Sequence, residues 1–252
     1  MKKKVDNKEI PLKALSERAA KVGIVVLCRY NSKRLPGKVF AGINGKEALR
    51  YIVERLKQVK NAEKTVVATS IEKDDDPIAD FCVANNIRCF RGSKSNVAER
   101  ILECAEHFRF DYFVRICGDN VLLDHDLVDE AISIALEDGY DLVSNTKERT
   151  FPSGMSVEVL RTDFYKRFFP LFTSDSHREH VTSFFYENDG ADSRKFFIYN
   201  DICPEAANMK LSLDDRSDLD LLNKIVGRMD RDHTEYHMKD IYGIFLKVRG
   251  EN

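Results

Sequence analysis

The sequence predicts an α/β protein built on a mixed, mostly parallel sheet with helices on both faces. Three observations predict it. Short apolar runs alternate with longer amphipathic stretches from Val22 to Ser144, the rhythm of repeated β-α-β units. The turns between them are short, as right-handed crossovers of a doubly wound sheet allow. The runs themselves, beginning with VGIVVL, are apolar at successive positions, which is how strands covered on both faces read. A chain of 252 residues with 43% hydrophobic content buries a core large enough for one such domain with an appendage.

Residues 1–20 read as an N-terminal extension, with Leu12, Leu15 and Ala19 on one face of a short helical stretch. The domain follows over 21–230. Its elements are a strand at 22–28, a helix near 46–59, a strand at 64–69, a helix at 75–85, a strand at 88–91 and a helix at 96–108. A strand at 112–117, a helix at 124–136 and a strand at 141–144 continue the pattern. Asp74 to Asp76 before Pro77, and Asp124 before Leu127, Val128 and Ile132, read as helix caps. After Ser144 the stretch KERTFPSGMSVEVL mixes turn residues with a short alternating run, opening a substrate-side or dimerisation extension over 146–200. Strands at 196–199 and 209–213 and a helix at 218–229 close the domain, and 231–252 forms a C-terminal tail.

Forty basic side chains nearly cancel 42 acidic ones, so net charge announces no nucleic-acid or membrane partner. Any anionic ligand is bound locally. The six cysteines, Cys28, Cys82, Cys89, Cys104, Cys117 and Cys203, form no C-x-x-C pair and sit mostly in apolar runs. That usage fits a reducing, cytoplasmic setting. The basic N-terminus has no apolar stretch behind it, so no secretory signal is expected, and no run reaches membrane-spanning length.

The chemistry concentrates after the first strand, in RYNSKRLPGK. Arg29, Lys33, Arg34 and Lys38 crowd the C-terminal end of that strand, where open α/β sheets bind ligands. Charge runs are commonly solvated surface loops; position favours a phosphate-handling loop here, with Ser32 as a hydroxyl donor and a Pro36-Gly37 turn presenting backbone N–H groups. Asp119, closing the strand at 112–117, and Asp214, after the alternation at Leu211 and Leu213, fit a Mg²⁺ held by two carboxylates and substrate phosphates. Singly, Asp119 reads as a turn residue and Asp214 as a helix cap. His177 with His180, and His233 with His237, have helical spacing for a metal, but the cysteines lie elsewhere in sequence and the zinc reading is weak. Arg178, Glu179 and His180 read either as sugar or subunit contacts or as ordinary surface charges.

Ordered blocks over about 22–225 carry a family resemblance: RYNSKRLPGK, VVATS with DDPIADFC, FRGSKSNVAER, VRICGDNVLLD, FPSGMSVEV, REHVT and LSLDDRSDLDLL. The chain resembles the cytidylyltransferases that activate acidic sugars, the acylneuraminate and CMP-Kdo synthetase type, on its SpsF-like branch. The resemblance implies a three-layer, Rossmann-like nucleotide-diphospho-sugar transferase fold. It implies that CTP and a nonulosonate-type acidic sugar give a CMP-sugar and pyrophosphate, with Mg²⁺, for surface glycan synthesis. By position, Arg29, Ser32, Arg34 and Lys38 look like the triphosphate-binding set, Arg100 like a residue near the base, and Asp119 and Asp214 like the metal carboxylates. Arg29, Lys38 and Asp119 are the expected catalytic residues; Glu158 and Arg178 are candidates for the sugar. Val121 replaces a usual proline, Ser156 a frequent aspartate and Cys117 a frequent base-reading glutamine. Another nucleotide, a sugar or alcohol phosphate, or a non-catalytic ligand-binding role are the alternatives. Phe168, Phe169, Phe172, Phe184, Phe185 and Tyr186 look too apolar to stay exposed and predict a homodimer.

Overall fold

The computed structural model describes residues 19–188 and 193–250, so the expected extension over 1–20 lies almost wholly outside the described residues. In chain order the first half is β1 (Val22–Leu27), the hairpin strands β2 (Gly42–Ile43) and β3 (Lys46–Glu47), α1 (Ala48–Leu56), β4 (Lys64–Ser70), α2 (Asp76–Ala84), β5 (Arg88–Gly92), α3 (Val97–Phe108), β6 (Tyr112–Cys117) and α4 (His125–Asp138). The second half is β7 (Leu142–Ser144), β8 (Glu158–Arg161), α5 (Thr162–Phe168), α6 (Asp175–Glu179), α7 (Ser183–Glu187), β9 (Lys195–Phe197), α8 (Arg216–Val226) and α9 (Met238–Gly250). The main sheet has seven strands in the order β5-β4-β1-β6-β8-β7-β9. Pairing is parallel from β5 to β6, β8 runs antiparallel to both its neighbours, and β9 is parallel to β7. The mixed, mostly parallel sheet expected from the sequence is the one observed.

Alternate residues of β1 feed two separate cores, as the period of two in a strand demands. Val22, Ile24 and Val26 join Val67, Val114, Ile116 and Val143 under α1, α4, α8 and α9. Val25 and Leu27 join Val66, Ala68, Phe113 and Leu160 under α3, α5 and α7. Every residue of β1 is buried, and the chain leaves the sheet between two layers of helices, into the space where the site forms.

Caps fix several helix starts. Asn96 accepts from Glu99 N at α3, and Asp124 accepts from Asp126 N at α4. Asp215, not Asp214, caps α8 in a reciprocal pair with Asp218. Asp75 precedes α2 but makes no side-chain cap bond there.

The structure differs from the sequence expectations at three further places. Residues 209–213 form no ladder strand; Lys210 makes a single bridge to Ser153. Their amides serve loops instead, Leu211 N donating to Ser153 O at 2.7 Å and Leu213 N to Asp119 O at 3.0 Å. The aromatic residues of the extension face inward: Phe172, Phe184 and Phe185 are buried in the second core, with Phe168 and Phe169 packed against it. Their apolarity is satisfied within one chain and no longer argues for a partner. The stretch expected as a C-terminal tail packs onto the domain, α9 burying Ile241, Ile244, Phe245 and Val248. Arg55, fully buried, holds the approach to α9 by donating to Leu123 O and Tyr236 O, both at 2.6 Å, and to His233 O. Among the described residues no helix is long and apolar enough to cross a membrane.

Candidate active site

The cationic loop is wound around one carbonyl and pinned by one carboxylate. Tyr30 O accepts from Ser32 N at 3.1 Å and from Gly37 N at 2.9 Å, with Gly37 at a φ of 69° that favours glycine. The Pro36-Gly37 turn therefore spends its amide inside the loop, a correction to the expectation that it faces a ligand. Asp75 accepts from Tyr30 N at 2.7 Å, Ser70 N at 3.0 Å and Ser70 Oγ at 2.5 Å. Asn31 Nδ2 donates to Asp74 at 2.6 Å. Burial pushes the Asp75 carboxyl up, but these hydrogen bonds to its charged form outweigh burial and hold it below the ordinary carboxylate value. An acid read as a helix cap is thus the anchor that ties the loop after β1 to the end of β4.

So held, Arg29, Ser32, Lys33, Arg34 and Lys38 all line one cavity of about 740 Å³. Arg100 lines it from α3, fully buried, its Nη1 donating to Ser93 O at 2.8 Å. Arg100 Nε is buried without a partner among the described residues, and burial lowers the guanidinium's pKa. Arg29 Nη2 is met by Glu179 of α6 at 2.5 Å. Cys28 and Cys117 line the same wall; burial pushes their thiols up, to about 12 and about 11.

The two predicted carboxylates meet there. A side chain at Gly118 would put its Cβ 2.4 Å from Cys28 Cβ, so only glycine lets the end of β6 turn against the end of β1 and deliver Asp119. Asp214 arrives because Leu213 N is bonded to Asp119 O. Lys38 Nζ bridges them, 3.0 Å from Asp119 Oδ2 and 3.2 Å from Asp214 Oδ1. Arg34 Nη2 adds a contact of 2.9 Å to Asp214 Oδ1.

A second cavity of about 710 Å³ adjoins the first, and Arg115, Cys117, Asp119, His180 and Asp214 line both. Its wall includes Arg115 Nη1, 2.9 Å from Glu158 Oε2, and Tyr186, whose hydroxyl donates to Glu158 Oε1 at 2.6 Å. Glu158 is 1% exposed and its charge is met from both sides. Arg115, Lys147 and Arg149 escaped the sequence reading, and Tyr186 entered it only as part of an aromatic surface. The one available signal was a charge inside the apolar run YFVRIC. Lys147 and Arg149 line the second cavity from a turn in which Glu148 and Arg149 both have positive φ.

Arg178 is placed elsewhere: it lines neither cavity and pairs at 3.5 Å with Asp175, in its own helix. On a short exposed helix its neighbours Glu179 and His180 point inward, so Arg178 points out. The sequence-spaced histidine pairs do not converge either, because His177 meets Glu187 at 2.8 Å and His233 meets Glu54 at 2.9 Å.

The family model described as "Cytidylyltransferase" matches residues 23–236. Spore coat polysaccharide biosynthesis protein SpsF of Bacillus subtilis is 28% identical over 208 residues, covering 80% of this chain and 84% of that protein. The 3-deoxy-manno-octulosonate cytidylyltransferase of Geotalea daltonii is 32% identical over 131 residues, 51% of this chain and 50% of that protein. The chain thus spans about half the length of that relative. A solved cytidylyltransferase from Leptospira borgpetersenii superposes with a TM-score of 0.86 at 26% identity, over 92% of this chain and 96% of that one. The chain belongs to the cytidylyltransferase family, a family of nucleotidyltransferases.

Proposed function

We propose that the protein transfers the cytidylyl group of CTP to an acidic, nonulosonate-type sugar, releasing pyrophosphate. The observation that carries this is the convergence of Lys38, Asp119 and Asp214 at the seam of two adjoining cavities, one lined by the cationic loop. The triphosphate takes the first cavity, against Arg29, Ser32, Arg34 and Lys38, with Arg100 near the base. The sugar takes the second, where Lys147 and Arg149 suit a carboxylate.

Asp119 and Asp214 are hard oxygen donors already gathered around one cation, the Lys38 ammonium, and that donor set fits Mg²⁺. Mg²⁺ held by Asp119 and Asp214 would neutralise charge at the phosphates and make the attacking hydroxyl more acidic. The protein's own share is positioning. A sugar hydroxyl in the second cavity faces the α-phosphorus in the first; its oxygen bonds to phosphorus as the bond to the β-phosphate bridge breaks, and its proton leaves to solvent. Lys38 and the loop arginines take up the charge of the departing pyrophosphate. Arg115, fixed by Glu158, borders both ligands and orients their junction. Cys117 holds its proton at neutral pH, and a thiol reads base edges poorly, so base selection falls to neighbouring groups.

The reading extends to a homodimer and a cytoplasmic location, on residues other than those first considered. Phe196, Tyr199 and Ile202 are exposed beside the edge strand β9, an edge that pairing protects, and light scattering at micromolar concentration tests it. The free cysteines suit the reducing compartment where nucleotides are made. Pyrophosphate release with CTP against the other nucleotides, and with acidic against neutral sugars, tests the activity itself; an Asp119→Asn control should lose about 10² to 10³ in rate.

A further inference from the structure

We propose that Asp124, His125, Asp126 and His237 form a second cation site, for a borderline divalent ion of the zinc class, separate from the Asp119 and Asp214 pair. Donor atoms of Asp124, His125 and His237 lie within 4.8 Å of one another. His237 Nδ1 is 3.0 Å from Asp124 Oδ1 and 3.3 Å from Asp126 Oδ2, and His125 Nε2 is 3.5 Å from Asp126 Oδ1. Ligands at about 2.0–2.1 Å from a tetrahedral zinc ion stand roughly 3.3 Å from each other. The three contacts lie near that value, Asp126 offering one oxygen to each imidazole, while the mutually close donor set is Asp124, His125 and His237.

Other features favour a site over a chance pair of imidazole–carboxylate contacts. The two imidazoles pack against each other, with ring centroids 5.0 Å apart and planes tilted by 47°, though one residue comes from the middle of the sequence and the other from its C-terminal part. His125 Nδ1 is buried without a partner among the described residues, so the ring has unspent donor capacity. Asp124 is buried, and its second oxygen accepts from Met238 N at 2.8 Å, the outer hydrogen bond that fixes a ligating carboxylate. The positive end of α4 opposes a cation at this place, and the charges of Asp124 and Asp126 offset it. Mixed imidazole and carboxylate donors select zinc-like ions, whereas the all-oxygen pair at the seam selects magnesium.

The ion's work is structural. It ties the start of α4, which directly continues the Asp119 loop, to the segment that leads into α9. A metal bound there would hold the C-terminal helix against the rest of the domain, away from both cavities.

Cobalt reports such a site directly. Full-length protein stripped with chelator and titrated with Co²⁺ should show visible d–d absorption saturating at a single ion per chain. His125→Gln and His237→Gln should each abolish it, while Asp119→Asn, which touches only the seam, should keep it. Loss of a direct ligand should weaken binding by more than the roughly 10–100-fold that an outer partner costs. Zn²⁺ should raise the Tm of the wild type and leave that of His237→Gln unchanged. His237 is partly exposed, so this variant carries the test if His125→Gln fails to fold. Absence of cobalt absorption, absorption unchanged in His237→Gln, or absorption lost in Asp119→Asn would each overturn the proposal.

Discussion

Replacing Lys38 by methionine should do two opposite things: slow turnover, and tighten divalent-cation binding in the nucleotide-free protein. The ammonium stands 3.0 Å from Asp119 and 3.2 Å from Asp214, the place of the metal ion proposed above. At an effective dielectric constant of about 20, each contact amounts to about 5 kcal/mol of Coulomb attraction. Desolvation and screening cancel most of it, since partly exposed pairs measure about 1 kcal/mol or less. A net of about 1–2 kcal/mol for both contacts is the competition that a metal must overcome, and about 1.4 kcal/mol is tenfold in affinity. Lys38→Met should therefore bind Mg²⁺ or Mn²⁺ roughly tenfold more tightly by calorimetry, while pyrophosphate release falls about 10² to 10³. A folded Lys38→Met protein that binds the cations no better than wild type would refute the claim that lysine and metal share one place.

Asp75→Asn should raise the KM for CTP more than it lowers kcat, because the loop loosens while its cations remain; equal changes in both would argue for a direct catalytic role. Three hydrogen bonds converge on this carboxylate, so the variant should lose about 2–4 kcal/mol of stability. Because its carboxyl lies below the ordinary value, the stabilisation is full above about pH 4 and is lost as pH falls through the lowered value; acid titration of Tm should be shallower in Asp75→Asn. Glu158→Ala leaves the Arg115 guanidinium beside an uncompensated cavity and should cost about 3–5 kcal/mol in denaturant unfolding, while Arg178→Ala should leave stability and sugar KM unchanged. Cys28 and Cys117, with thiols raised to about 12 and about 11, should resist iodoacetamide at pH 8 in the folded protein, and rapid labelling of either would contradict that environment.

Much of this site was readable because its chemistry sits next to strand ends. β1 and β6 are short apolar runs, so the residues that follow them, Arg29 to Lys38 and Asp119, were placed at one sheet edge by pattern alone. What escaped depends on contacts distant in sequence. Asp75 has the position of a cap, and only the fold shows that its partner is Tyr30. Arg115 had no assigned role and Glu158 was a candidate sugar contact; the pairing of β6 with β8 sets the two side by side as an ion pair. The alternation at Leu211 and Leu213 is that of a strand, yet the hydrogen bonds go to loops. The aromatic run read as a surface because periodicity cannot tell an interface from a second core, and α3 supplies the opposing face. His237 found His125, not the histidine at helical spacing.

The most direct test of the account is pyrophosphate release by the purified protein with Mg²⁺, offered CTP, UTP, GTP and ATP against acidic and neutral sugars. Release selective for CTP and for a nonulosonate-type acid, abolished by chelator and by Asp119→Asn, is the predicted result. Release with another nucleotide or a neutral sugar, or wild-type turnover in the folded Asp119→Asn protein, would contradict it.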